Sequence, residues 1–174
     1  RRCKSVAKYA ARAELALSGT VRTLGGCRFE AIRELRGDQS AGQSWEALET
    51  ALRRIGLHRG EAAPSDLIRV VEIADKYGVE ADATTRATDA NGEAHLMTDG
   101  AGLISSDLVE QDLKQELCAR LALPGSRRWT HTPLVLQMRL WYDALCKGTL
   151  TVSARLPERT IVVRSSMIKV DGDP

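Results

Sequence analysis

Five side chains suited to holding an anion, Gln137, Arg139, Lys147, Arg164 and Lys169, fall between positions 137 and 169 of this 174-residue chain. Each of the four cations stands next to a short apolar run, Leu134–Leu136, Leu150–Val152 or Ile161–Val163, and not inside a solvated run of charge. Those runs are β-branched or leucine-rich and are separated by the turn residues Lys147-Gly148 and Leu156-Pro157-Glu158, a pattern of strands in a small sheet or barrel. Strands with cations at their ends make a cradle for phosphate-like charge. The other use of Lys and Arg beside a strand is protection of a sheet edge, and composition does not separate the two.

Other chemistries find less support. The tail Asp171-Gly172-Asp173 offers two carboxylates of the kind that hold Mg²⁺, but Pro174 follows before any supporting strand, so the tail reads as a turn. The Gly100-x-Gly102 pair has no strand–loop–helix unit around it and no following lysine, so it is a poor signal for a nucleotide phosphate loop. Cys3, Cys27, Cys118 and Cys146 form no C-x-x-C pair and lie far from His58, His95 and His131, so neither a zinc site nor a disulfide framework is expected. With 25 Lys+Arg against 23 Asp+Glu, no overall field advertises a polyanion partner, and a nucleic-acid site must be local. Three Trp, three Tyr and one Phe are too few for a module that grips single strands mainly by stacking. No apolar run approaches the roughly 18 residues of a membrane span and no signal peptide opens the chain, which reads as soluble and intracellular.

The elements that must position these groups can be traced in order. Lys4–Leu17 is Ala-rich with Val6, Tyr9, Ala10, Ala13 and Leu17 at helical spacing. Ser44 as N-cap, Trp45, Leu48, Leu52 and Ile55 on one face and Gly56 beyond predict a second helix, with Arg53, Arg54, His58 and Arg59 at or past its C-terminal end. Leu67–Ala74 reads as a strand, and Ala81–Glu93, with Asn91-Gly92, as an exposed hairpin or loop. Ser106 and Asp107 open a helix carrying Val109, Leu113, Leu117 and Leu121 at intervals of four, over 106–122, ended by Pro124-Gly125. Arg127-Arg128-Trp129 falls in the loop after it.

Several segments, taken together, resemble a known family. Gln137-Met138-Arg139, Lys147-Gly148 and Arg164-Ser165-Ser166-Met167-Ile168-Lys169 resemble the Q-x-R, K-G and R-x-S-M-x-K signatures of the eukaryotic cell-encoded RNA-dependent RNA polymerases of RNA silencing. Thr98-Asp99-Gly100-Ala101-Gly102-Leu103-Ile104-Ser105 resembles that family's T-D-G-x-G-x-I-S segment, upstream as expected, and Ala11-Arg12 to Ser18-Gly19-Thr20 weakly resembles a segment preceding the barrel. The resemblance implies an α+β chain, an N-terminal helical segment (1–64) followed by part of a double-psi β-barrel (65–174, with helix 106–122 inserted). Lys147 and Lys169 match the barrel lysines that face the triphosphate and the growing RNA end. Arg139, Arg164 and Gln137 match substrate- or RNA-binding positions, and Asp99, Gly100 and Gly102 belong to the barrel-wall motif. The run from Gln137 to Lys147 is longer than the family's, with Trp141-Tyr142-Asp143-Ala144-Leu145 where the family has paired glycines, so an insertion or wider loop is expected.

The function so implied is synthesis of double-stranded RNA on a single-stranded RNA template from nucleoside triphosphates, in the cytoplasm or nucleus, with silencing proteins open as partners. Fixed cations in a partly desolvated cleft stabilise the charge that nucleotidyl transfer moves onto pyrophosphate. Mg²⁺ is expected on an aspartate-rich loop outside this chain. The chain begins on Arg1, not Met, and stops just past the strongest motif, so it reads as a fragment that is inactive alone. The competing reading is a degenerate, non-catalytic barrel that binds RNA or a protein.

Overall fold

The computed structural model describes residues 23–61, 63–79, 86–120 and 132–172. Within them the strands are β1 (Arg28–Ile32), β2 (Leu67–Ile73), β3 (Ala101–Ser105), β4 (Val135–Trp141), β5 (Leu145–Ser153), β6 (Thr160–Arg164) and β7 (Ile168–Val170). They form one curled, mixed sheet in the order β1-β2-β6-β3-β5-β4, with β7 on β5. Parallel pairing joins β1 to β2, β2 to β6 and β3 to β5, whereas β3–β6, β4–β5 and β5–β7 are antiparallel.

Strand alternation sends neighbouring residues to two separate cores. Ile68, Val70, Ile104, Leu150, Ile161, Val163 and Cys146 pack on one face with Met167 and Ile168. Val71, Ile73 and Val162 pack on the other, against Leu48, Ala51 and Leu52 of helix α1 (Trp45–Arg54) and against Leu35 and Leu156. Buried on both faces, β6 reads as a continuous apolar run, as does β2 apart from Arg69 and Glu72. Helix α1 starts as its sequence predicts: the Ser44 side chain accepts from the Ala47 backbone N–H at 3.1 Å, leaving Leu48 and Leu52 buried.

The Leu67–Ala74 strand is present as β2. The first run, Leu134–Leu136, enters β4 at Val135 and the second, Leu150–Val152, lies inside β5; both strands are longer than the runs, since β4 continues to Trp141 and β5 starts at Leu145, with residues 142–144 as the connecting turn. Residues 106–120 are helical, but Leu108–Leu113 is a π-helical turn leading into α2 (Lys114–Arg120). Opposite it, buried Arg159 donates its backbone N–H to Asp107 Oδ2 (3.0 Å), its Nη1 to Asp112 (2.9 Å) and its Nε to the Leu67 carbonyl (3.0 Å). The turn therefore offers two carboxylates on one side at a spacing wider than an α-helix gives. Leu121 and Ala122, the Lys4–Leu17 helix, the Ala11–Thr20 match and Arg127–Trp129 lie outside the described residues. Residues 64 and 65, where a boundary is expected, lie between β1 and its partner β2; the Arg28–Ile32 strand alternates over only five residues, too short a run to read from the sequence. Of the Ala81–Glu93 hairpin or loop, residues 81–85 lie outside the described residues; the rest carries the bridge Thr88↔Ala94 with a turn at Gly92 (φ +77°), and Val79 bridges Arg86.

Candidate functional site

Segments from four parts of the chain meet beside β2. Asp75, only 4% exposed, lies just past the end of β2. Its carboxylate accepts from the Ser166 backbone N–H (2.8 Å), the Ser166 hydroxyl (2.7 Å) and the Thr98 hydroxyl (3.3 Å). Ser166 Oγ in turn accepts from the Gly100 N–H at 3.0 Å, so the Thr98–Gly100 turn and the 3-10 turn Ser165–Met167 are fixed to one another through a single carboxylate. Glycine is required here by space. A Cβ on Gly102 would stand 2.9 Å from Met167 Sδ and would run into the Val162 carbonyl; one on Gly148 would stand 2.8 Å from Met167 Cε and meet the Gly100 carbonyl. Gly100 itself has φ +66°, and its carbonyl accepts from the Thr149 N–H at 2.8 Å. The matched glycines thus form the socket of the matched methionine. Asp99 is exposed at the tip of the turn.

The five anion-binding candidates occupy three settings. Lys169, half-buried on β7, donates from Nζ to the Ser166 carbonyl and lies near enough to Cys146 for its charge to favour the thiolate. Arg164, at the end of β6, donates from Nη1 to the carbonyls of Ala74 (3.0 Å) and Gly42 (3.2 Å), and burial pushes its pKa down. Gly42 lets that loop close in, since its Cβ would stand 2.5 Å from the Ala74 oxygen. Arg139 and Lys147 face each other across β4–β5, and Gln137 faces Thr149. Lys147 and Gln137 are exposed and Arg139 is half-buried. The structure therefore brings Lys169 and Arg164 to the same 3-10 turn and Lys147, Arg139 and Gln137 to one hairpin. Lys147 and Lys169 sit on paired strands but have different surroundings.

A second carboxylate went unnoticed in the sequence. Glu72, 0% exposed, accepts from the Tyr142 hydroxyl at 2.9 Å and from Arg33 Nε at 3.3 Å through Oε1, with Arg36 Nε 3.0 Å from Oε2. Arg33 continues to Asp143 (3.2 Å) and Arg36 to Asp171 (2.7 Å), so both the hairpin tip and the residue after β7 are tied to the sheet end. Burial raises the Tyr142 hydroxyl, and raises the neighbouring Cys146 thiol to about 11. A glutamate inside the apolar run Leu67–Ile73 was the available signal, since a buried carboxylate demands partners. Among the described residues no three His, Cys, Asp or Glu side chains converge to hold a metal ion, and no helix is long and apolar enough to cross a membrane.

Comparison with known proteins adds to this geometry. A family model described as RNA dependent RNA polymerase matches residues 1–174. "Probable RNA-dependent RNA polymerase 4" of Oryza sativa subsp. japonica is 41% identical over 97 residues, covering 48% of this chain and 8% of that protein. "Probable RNA-dependent RNA polymerase 5" of Arabidopsis thaliana is 36% identical over 90 residues, covering 49% of this chain and 9% of that protein. The chain thus spans less than a tenth of these relatives' lengths.

Proposed function

The chain belongs to the RNA-dependent RNA polymerase family, and from that premise we propose that it is a segment of the catalytic core of an RNA-directed RNA polymerase, including part of a double-psi β-barrel, that makes double-stranded RNA from a single-stranded template in RNA silencing. The observation that carries this reading is the fit of Met167 into the gap left by Gly102 and Gly148, with Ser166 bonded to Gly100. Residues distant in sequence act there as one packed unit whose rim bears the cations.

In this reading Lys169 and Lys147 are compact positive charges placed to meet the negative charge that develops on the transferring phosphates, where a lysine ammonium suits better than a planar guanidinium. Lys169 is held by the Ser166 carbonyl. That turn is fixed by Asp75, so the ammonium is aimed before substrate arrives. Gln137 and Arg139 accompany Lys147 as RNA contacts, and Arg164 braces the turn from behind. Mg²⁺ would neutralise the triphosphate, and the family resemblance implies that it is held on an aspartate-rich loop outside this chain. The 174-residue chain by itself is accordingly expected not to extend RNA.

The test is a full-length polymerase assay. Lys147→Ala and Lys169→Ala should each lower kcat by roughly tenfold to a thousandfold, with Arg restoring only part. Lys114→Ala on α2 is the control and should leave turnover within about twofold. If both lysine variants behave like Lys114→Ala, the site reading is wrong; if the wild-type protein binds RNA without extending it, the degenerate-barrel reading takes its place.

A further inference from the structure

Strand β7 carries Lys169 on an irregular pairing. Its partners on β5 run Cys146↔Ile168 and Leu145↔Val170, so neighbours on one strand face residues two apart on the other. Lys169 is therefore the extra residue of a β-bulge, a device that re-aims a side chain out of the regular ladder. Two pairs on a strand of three residues specify such a register weakly, and a one-residue slip would turn Lys169 to the opposite face. One end of the bulge leads back to the Ser165–Met167 turn, which Asp75 fixes. At the other end Asp143, two residues before Leu145, meets Arg33 Nη2 at 3.2 Å, and Asp171, directly after Val170, meets Arg36 Nη2 at 2.7 Å. Both arginines converge on fully buried Glu72, with Arg33 Nε 3.3 Å from Oε1 and Arg36 Nε 3.0 Å from Oε2, and Tyr142 donates its hydroxyl to Oε1 at 2.9 Å. The chain after β7 also closes on the hairpin, since a Cβ on Gly172 would run into the Asp143 carbonyl.

We propose that Glu72 is a positioning residue: through Tyr142 and Arg33–Asp143 on the hairpin and Arg36–Asp171 after β7, it locks the bulge that aims the Lys169 ammonium. The proposal rests on the polymerase reading and goes beyond it, because no motif of the resemblance includes Glu72, Arg33, Arg36 or Asp171. Distance decides between the clamp and the ladder as the source of the register. Ladder hydrogen bonds re-form after a slip, but a slip of one residue carries Asp171 about 3.3 Å along the strand. That breaks its 2.7 Å contact with Arg36 and leaves a fully buried carboxylate with a displaced partner. The Cys146 thiol senses the charges of Glu72, Lys169 and Arg36, which puts clamp and bulge side by side. Tyr142 and Asp143 belong to the stretch in which this chain departs from the family pattern, and glycines there would supply neither group. Asp171 and Gly172 of the acidic tail act here as a tether.

The experiment uses the full-length polymerase. Glu72→Gln keeps the shape of the side chain and an acceptor for Tyr142 but weakens both arginine contacts. It should lower kcat by about tenfold to a hundredfold, the upper figure being the cost of a misplacement of about 1 Å, with KM for nucleotides little changed. Asp171→Asn and Tyr142→Phe each loosen one arm and should act in the same direction by less. A positioning role differs from general support in its coupling. In a Lys169→Ala background each change should alter kcat by no more than about twofold, because the group it aims is gone; a drop as large there as in the wild-type background overturns the proposal. Acylation by acetic anhydride, read by mass spectrometry, follows the same lysine without catalysis. Lys169 should react slowly in wild type and severalfold faster in Glu72→Gln, with Lys114 unchanged, and equal Lys169 rates overturn the proposal. Should Glu72→Gln fail to fold, the double variant Tyr142→Phe, Asp171→Asn takes its place in both measurements. Failure of the polymerase reading shows separately, as an absence of RNA synthesis by the wild-type enzyme while the acylation contrast stands.

Discussion

Removing the Arg164 guanidinium separates a brace from an RNA contact. Its Nη1 bridges the carbonyls of Ala74 and Gly42, at 3.0 and 3.2 Å, and so ties together two segments far apart in the chain. In Arg164→Ala both oxygens lose a charged donor where the Gly42 loop packs closely on the end of β2, since a Cβ on Gly42 would stand 2.5 Å from the Ala74 oxygen. Hydrogen bonds to charged groups contribute about 1.5–3 kcal/mol each. Arg164 is half-buried, so water replaces part of this and a net loss of about 2–4 kcal/mol is expected. At about 1.4 kcal/mol per decade, that is roughly a thirtyfold to thousandfold rise in local opening.

Native-state hydrogen exchange of the full-length protein reads this directly, at the Ser166 amide and through α1. Arg164→Lys should recover about half the loss, because one ammonium on a flexible stem reaches one carbonyl well but not both. RNA affinity should move little at fixed folded fraction. The reasoning is refuted if exchange in Arg164→Ala matches wild type while the salt slope of RNA binding falls by about 0.7, the mark of a lost phosphate contact.

Asp75→Asn should loosen the Thr98 and Ser166 turns, because the charge is lost and one acceptor oxygen is left for three donors that use two; a loss of about 1.5–3 kcal/mol, seen as faster exchange at Gly100 and Ser166 and a drop in kcat with KM little changed, is expected. Gly148→Ala should cost about 1–3 kcal/mol by overpacking Met167 and the Gly100 carbonyl, and a cycle with Met167→Ala should show coupling of about 0.5–3 kcal/mol in thermal unfolding. Cys146 gives a pH prediction: its thiol is raised from the ordinary 9.0 to about 11 by burial, so the unfolded chain releases the proton first. Stability from this group is full below pH 9 and is lost as pH rises toward 11, by about 2–3 kcal/mol, and Cys146→Ala should remove that part of the alkaline slope.

Periodicity and turn chemistry sufficed for α1, β2 and the three apolar runs of the C-terminal β unit, because each is a local signal: Ser44 caps its own helix, and Ile161–Val163 is buried on both faces. β1 escaped because its alternation spans only five residues, too few to stand out, and this edge strand gains its pairing from β2, at positions 39 residues further along. The π-helical turn escaped because leucines and valine at near-helical spacing do not distinguish it from an α-helix, and its ion-pair partner Arg159 lies 47 residues from Asp112. The motif glycines were legible as motif; that two of them empty a socket for Met167 was not, since the fit joins positions 102, 148 and 167.

The two acidic residues near the end of β2 show why the site could be only half read. Val71-Glu72-Ile73-Ala74-Asp75 is an apolar strand end carrying two carboxylates, and each, buried, costs several kcal/mol unless it finds donors. That both must have partners follows from the sequence. Which partners does not: Glu72 takes Arg33, Arg36 and Tyr142, and Asp75 takes Thr98 and Ser166, at separations of 23 to 91 residues along the chain. Through Arg36 to Asp171 and through Ser166 to Lys169, these carboxylates hold the polypeptide on both sides of β7. A strand of three residues has little pairing of its own to fix its place. The aim of Lys169 therefore depends on β2 more than on the strand that carries it, and a signature read along R-S-S-M-I-K names the ammonium without the residues that point it.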